Sequence, residues 1–138
     1  MKRAGSREGF TLVEMMVVVV IIGILGAIVV TSAVHYADRA RINATKAQIG
    51  QIETALAGFR LETGRYPTTS EGLEALVRRP AGYSGEWPQG GFLAEVPKDA
   101  WGNEFVYVSP GREKPYDIIS YGADGREGGE GADADITN

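Results

Sequence analysis

The chain is 138 residues long, carries 18 acidic against 14 basic side chains for a formal net charge of −4, and contains one histidine and no cysteine. That length supports one domain, while the missing cysteines exclude disulfide staples and thiol chemistry, and His35 alone completes neither a nucleophile system nor a zinc site. The acidity is concentrated near the C-terminus, where six carboxylates between Asp117 and Asn138 face Arg126 alone, so no basic patch suited to nucleic acid stands out.

The first nine residues, Met1 to Gly9, form a short basic leader with Lys2, Arg3 and Arg7. From Met15 to Val34 no side chain is charged, and such a run of about 20 residues, at about 1.5 Å each, matches the hydrocarbon core of a bilayer. Under the positive-inside rule the leader stays cytoplasmic and the remainder points outward. An ordinary secretory signal has a shorter apolar region followed by its small cleavage residue. Here Gly9 precedes the run. Glu14 sits where the apolar run begins, and a carboxylate there carries a desolvation cost that needs a partner.

One long helix is predicted from near Phe10 to near Glu62. Beyond Val34 it turns amphipathic: Ile42, Thr45, Ile49, Ile52, Leu56 and Phe59 recur at spacings of three and four and form one stripe, with Arg39, Arg41, Lys46, Glu53 and Arg60 mostly off it. Gly64-Arg65-Tyr66-Pro67 ends the helix, since glycine suits the position after the last turn and proline cannot continue it. Thr68-Thr69-Ser70-Glu71 reads as a capping box opening a short helix that ends at Arg78-Arg79-Pro80, with Leu73, Leu76 and Val77 on its apolar face. Gly82 to Gly91 is a loop in which Trp87 anchors against the core. Pro97 to Asn103 is a turn cluster, where Asp99 is better read as stabilising the turn than as an acid in a cleft. Glu104 to Val108 and Tyr116 to Tyr121 are strand-like runs joined by Ser109-Pro110-Gly111, consistent with an antiparallel pair.

The segment Asp124 to Asp135 spaces glycines between carboxylates. Composition leaves two readings open: a solvated acidic tail, or a curled loop offering hard oxygen donors to Ca²⁺, which takes six to eight of them. The EF-hand spacing is absent. Nothing else points to catalysis, and the chain reads as a non-enzyme; His35, at the membrane exit of the helix, suits an interfacial position.

Gly9-Phe10-Thr11-Leu12-Val13-Glu14 and the spanning run after it resemble the leader of the type IV pilin and pseudopilin superfamily. The resemblance implies that a prepilin peptidase cuts after Gly9 and methylates the new amine of Phe10, and that Glu14 serves assembly. It divides the chain into a cleaved leader (1–9), a transmembrane and assembly half of the helix (10–34) and a periplasmic globular domain (35–138). Gly64 to Leu73, Pro97 to Asn103 and Ser120 to Gly125 extend the likeness to the major pseudopilins of the type II secretion system. The fold implied is α+β and pilin-like: a long N-terminal helix on a small antiparallel sheet, with a C-terminal metal-binding loop.

The function implied is that of a structural subunit, anchored once in the bacterial inner membrane, which polymerises into a periplasmic pseudopilus supporting export of folded proteins across the outer membrane. Its partners would be further copies of itself in a helical filament, minor pseudopilins, an inner-membrane assembly platform, the prepilin peptidase, and membrane lipid before assembly; ATP hydrolysis would belong to a separate motor. The resemblance also implies Ca²⁺ in the acidic loop, with Asp124 and Asp133 as side-chain ligands, Asp135 next, and backbone carbonyls near Tyr121 and Ala123; Glu127 and Glu130 face solvent. The alternatives are a type IV pilin of a surface fibre, against which the cysteine-free acidic end argues, and a membrane-anchored binding module or sensor, which would keep Met1 to Gly9.

The chain departs from the family pattern at three places. Thr31 follows Val29-Val30 where relatives commonly carry proline, so any local melting has to lean on Gly23 and Gly26, each costing about 1 kcal/mol relative to alanine. Ala100 replaces the usual proline. Val96 follows Ala94-Glu95 without the usual base, so the intersubunit ion pair which that base makes in relatives is not expected here, and Glu53, its acidic partner by resemblance, would have to find another cation.

Overall fold

A computed structural model of the chain describes residues 9–138. Contacts group the chain into two compact units, one ending at Ala37 and the other covering Asp38–Asn138. The leader, apart from Gly9, lies outside the described residues.

Helix α1 (Leu12–Thr63) runs through both units. It starts two residues later than predicted because Thr11 acts as its cap, and it is unbroken past Gly23, Gly26 and Thr31. From Leu12 to Val29 the side chains are exposed, as expected of a segment whose solvent is lipid or neighbouring helices; this is the one helix among the described residues long and apolar enough to cross a membrane.

Within the second unit the predicted stripe is the core. Thr45, Ile49, Ile52, Leu56 and Phe59 are all buried and Ile42 packs at the edge, while Arg39, Arg41, Lys46 and Arg60 are exposed. At about 25 cal/mol per Å² of apolar surface, each large side chain on this stripe contributes roughly 1.5–3 kcal/mol. The helix ends where Gly64 turns to φ 77° and its N–H donates to the Arg60 carbonyl at 2.8 Å.

The capping box forms but opens no α-helix. Thr68 N–H donates to Glu71 Oε2 at 2.7 Å and Glu71 N–H to Thr68 Oγ1 at 3.3 Å. Gly72 then takes φ 61° and ψ −167°, which stops helical propagation, and only a 3-10 turn, Leu73–Leu76, follows. Leu73 and Leu76 are buried, whereas Val77 is half-buried. Arg65 grips the same Glu71 with two hydrogen bonds, 2.6 and 2.7 Å, and that contact above all lowers the Glu71 carboxyl to about 2. In the Gly82 to Gly91 loop Trp87 is indeed an anchor, edge-on to Phe59 at 6.0 Å and Phe92 at 5.1 Å between ring centroids.

The sheet has strands β1 (Val106–Val108), β2 (Asp117–Ser120) and β3 (Ile136–Thr137) in that spatial order. Both pairings are antiparallel, with Tyr107 opposite Ile118 and Ser120 opposite Ile136. Alternation places Ile118 and Ser120 on the buried face of β2. Strand β3 was not predicted, since two residues at the end of an acidic stretch carry no readable alternation. It brings the chain back to the sheet, so the acidic segment is a loop closed at both ends. Within the chain, Glu53 Oε1 accepts from Asn138 Nδ2 at 3.3 Å.

Candidate functional site

Two regions hold the residues singled out from the sequence, one at the start of α1 and one in the C-terminal loop. At the first, Gly9 and Phe10 precede the helix, and the Phe10 side chain is 78% exposed. A Cβ at Gly9 would meet nothing within 4 Å among the described residues. Thr11 and Glu14 form a reciprocal box: Thr11 N–H donates to Glu14 Oε2 at 2.9 Å, its hydroxyl to the same oxygen at 3.1 Å, and Glu14 N–H to Thr11 Oγ1 at 3.2 Å. Two of the helix's open N–H donors are thereby satisfied, and the carboxylate sits at the positive end of the helix dipole. The sequence reading missed this role, although the signal, Thr followed three residues later by Glu, was in plain view.

At the second, the loop leaves β2 at Tyr121, which is half-buried, and returns at Ile136. Asp124, Asp133 and Asp135 all lie on it and are exposed, as are Glu127 and Glu130. The loop crosses itself: Ala123 N–H donates to the Ala132 carbonyl at 2.9 Å, and a Cβ on Gly122 would come within 2.7 Å of that same oxygen. Gly122 stands at φ 66° and Gly129 at φ 91°, the latter against the Asp133 carbonyl, so glycine is required at both by conformation and by space. Asp135 accepts the Gly128 N–H with both carboxylate oxygens, at 3.0 and 3.1 Å, and Asp124 Oδ1 accepts from Arg126 N–H at 3.1 Å.

Among the described residues no three acidic or imidazole side chains converge on one metal-sized point. A cation cage here therefore has to draw on main-chain carbonyls as well as carboxylates. The donors the loop offers are all hard oxygens on a glycine-rich turn, which suits Ca²⁺ in kind.

Beneath the loop lies a buried polar cluster. Asp99, 4% exposed, accepts with Oδ1 from Trp101 N–H at 3.0 Å and Asn103 N–H at 2.8 Å, and with Oδ2 from the Ser120 hydroxyl at 2.6 Å. Ser120 Oγ in turn accepts from Gly122 N–H at 3.3 Å, and Asn103 Nδ2 donates to the Gly122 carbonyl at 3.0 Å. Thr45 Oγ1 on α1 accepts from Ala100 N–H at 3.1 Å. The expected turn-stabilising role of Asp99 holds, but its reach to Ser120 was not foreseen.

Comparison with known proteins matches both halves of the chain. A family model described as "Type II secretion system (T2SS), protein G" covers residues 32–138, and a prokaryotic N-terminal methylation motif covers residues 5–30. The chain is 46% identical over 135 residues to type II secretion system core protein G of Pseudomonas aeruginosa, spanning 96% of this chain and 95% of that one. It is 44% identical over 139 residues to the protein of the same name from Vibrio cholerae, spanning 100% and 95%. Among solved structures, the major pseudopilin from the type 2 secretion system of enterohaemorrhagic Escherichia coli superposes with a TM-score of 0.64 at 33% identity, covering 75% of this chain and 90% of that one.

Proposed function

This chain belongs to the type II secretion system protein G family, and on that premise we propose that it is a structural pseudopilin subunit, not an enzyme, which polymerises into the periplasmic pseudopilus supporting export of folded proteins. The observation that carries the reading is the joint match on one chain of the methylation motif, over residues 5–30, and the family model, over residues 32–138. The type IV pilin alternative is not favoured, since the relatives compared are secretion-system core proteins. The exposed apolar face of α1 from Leu12 to Val29 is consistent with anchoring in lipid before assembly and with helix packing after it.

The finer reading follows from chemistry. Cleavage after Gly9 by a prepilin peptidase frees the Phe10 amine for methylation. Glu14 then has two claims on it: the Thr11 box at the helix start and a cationic amine, its own or that of the next subunit, whose attraction is stronger in low dielectric. That pairing sets the register at which a subunit enters the filament. Minor pseudopilins and the inner-membrane assembly platform are the further partners this scheme requires. In the C-terminal loop Asp124, Asp133 and Asp135, with carbonyls near Tyr121 and Ala123, would hold Ca²⁺. When bound, the ion supplies one multivalent positive centre that draws these oxygens together.

The test of the whole reading is deletion of the native gene, followed by complementation with this sequence. Restored secretion and periplasmic filaments from the intact chain are expected; secretion unaffected by loss of the intact protein would refute the assignment.

A further inference from the structure

We propose that Asp99 is a positioning residue for the oxygen donors of the C-terminal loop, acting through Ser120 on the peptide group that joins Tyr121 to Gly122. The proposal rests on the reading of that loop as a Ca²⁺ site. Asp99 does not itself lie on the loop.

The argument begins with the hydroxyl of Ser120, which is completely buried. A hydroxyl has one proton and two acceptor lone pairs. Asp99 Oδ2 takes the proton at 2.6 Å, which leaves the lone pairs free for the N–H of Gly122. A trans peptide is planar, with its N–H and C=O pointing in opposite directions. Holding Gly122 N–H on Ser120 Oγ therefore fixes the direction of the Tyr121 carbonyl, which points away from Ser120. The next peptide is held from both sides as well: Asn103 Nδ2 binds the Gly122 carbonyl, and Ala123 N–H binds the Ala132 carbonyl.

Asp99 also fixes Asn103, whose N–H it accepts at 2.8 Å. One buried carboxylate thus holds the Ser120 hydroxyl, which orients the first peptide of the loop, and the backbone of Asn103, whose side chain binds the second. Gly122 cannot be replaced as the pivot, because a Cβ there would collide with the Ala132 and Asp133 backbone. The consequence is that Tyr121 presents its carbonyl in one direction before any cation arrives. Asp99→Asn keeps size and shape but reverses one polar contact: either the amide NH₂ faces the Ser120 hydroxyl, whose proton then competes for the Gly122 side, or it faces two backbone N–H donors.

The experiment is titration calorimetry of Ca²⁺ into the full chain in detergent micelles, together with thermal unfolding of the metal-free protein. Wild type, Asp99→Asn, Ser120→Ala and Phe59→Leu are compared. Asp99→Asn is expected to raise the Ca²⁺ Kd roughly 10-fold, in the range found when residues that orient metal ligands are altered, and Ser120→Ala to move it in the same direction. Phe59→Leu, which weakens the core elsewhere, should lower the metal-free Tm and leave Kd unchanged. If Asp99→Asn fails to fold, Ser120→Ala decides. Variants that lose thermal stability yet bind Ca²⁺ with the wild-type Kd would reduce Asp99 to a purely structural turn residue and overturn the proposal while sparing the Ca²⁺ site. A wild type that gives no binding isotherm would remove the site itself, and the proposal with it.

Discussion

Glu14 and Glu71 are both carboxylates in capping boxes with a threonine three residues earlier, yet their surroundings give them different uses. Glu71 has a fixed guanidinium on its outer side, and its lowered carboxyl, about 2, means that the folded state holds the charge more firmly than the unfolded chain. The stability it contributes is complete above the usual carboxylate range near 4 and is lost as the pH falls from there towards 2. Because Arg65 is about half exposed, solvent screening limits the pair to about 1 kcal/mol. Arg65→Ala should therefore destabilise by about that amount in urea unfolding at pH 7, and the gap to wild type should close as the pH approaches 2. Among the described residues no cation pairs with Glu14, whose hydrogen bonds run to Thr11. Glu14→Leu should be cleaved and membrane-inserted but fail to assemble; normal filaments and secretion from this variant would refute its role in assembly. Gly9→Glu should block maturation. A Cβ at Gly9 meets nothing within 4 Å among the described residues, so the block is expected to arise at the peptidase pocket, and efficient removal of the leader, read by mass spectrometry, would exclude Gly9 as the cut site.

At the scale of elements, helix α1 was the most legible feature, because five buried stripe residues at spacings of three and four define which face packs. Phe59 is the stripe's largest member, completely buried and in edge contact with Trp87 and Phe92. Phe59→Ala should cost about 3–5 kcal/mol, measured by chemical denaturation of the detergent-solubilised chain; a loss under about 1 kcal/mol would mean that the loop carrying Trp87 refills the space. The short helix after Thr68 was misjudged because propensity and capping both favoured it, while the single left-handed Gly72 that ends it leaves no periodic trace. Strand β3 and the link from Asp99 to Ser120 were illegible for another reason. Both are contacts between segments distant in sequence, and local pattern reports only on neighbours. The candidate ligands of the loop were legible as residue types, whereas the return of the loop to the sheet at β3 was not.

For the whole molecule, the calcium reading makes a thermodynamic demand. A ligand that binds only the folded state at 100 times its Kd adds about 2.7 kcal/mol, and for a domain of about a hundred residues each kcal/mol moves Tm by roughly 4–8 °C. Saturating Ca²⁺ after exhaustive chelation should thus raise Tm by about 10 °C or more. Mg²⁺ should do far less, since it requires a tighter octahedron and keeps its waters. Asp124→Ala and Asp133→Ala should each abolish most of the calcium increment. A wild-type melting curve indifferent to Ca²⁺ would leave the loop as an acidic surface segment, with the family assignment unaffected.

The pairing of Ser120 with Ile136 and of Ile119 with Thr137 has a consequence for chain statistics. An acidic tail anchored at one end explores a volume set by its length, and its two outermost donors meet only rarely. Once both ends are stitched to one sheet, the entropy of ring closure, which grows as about (3/2)RT ln n, has already been spent by the strands, whether or not a cation is present. Removing the last two strand residues should therefore weaken cation capture without touching a single donor, by returning the ring to an open string.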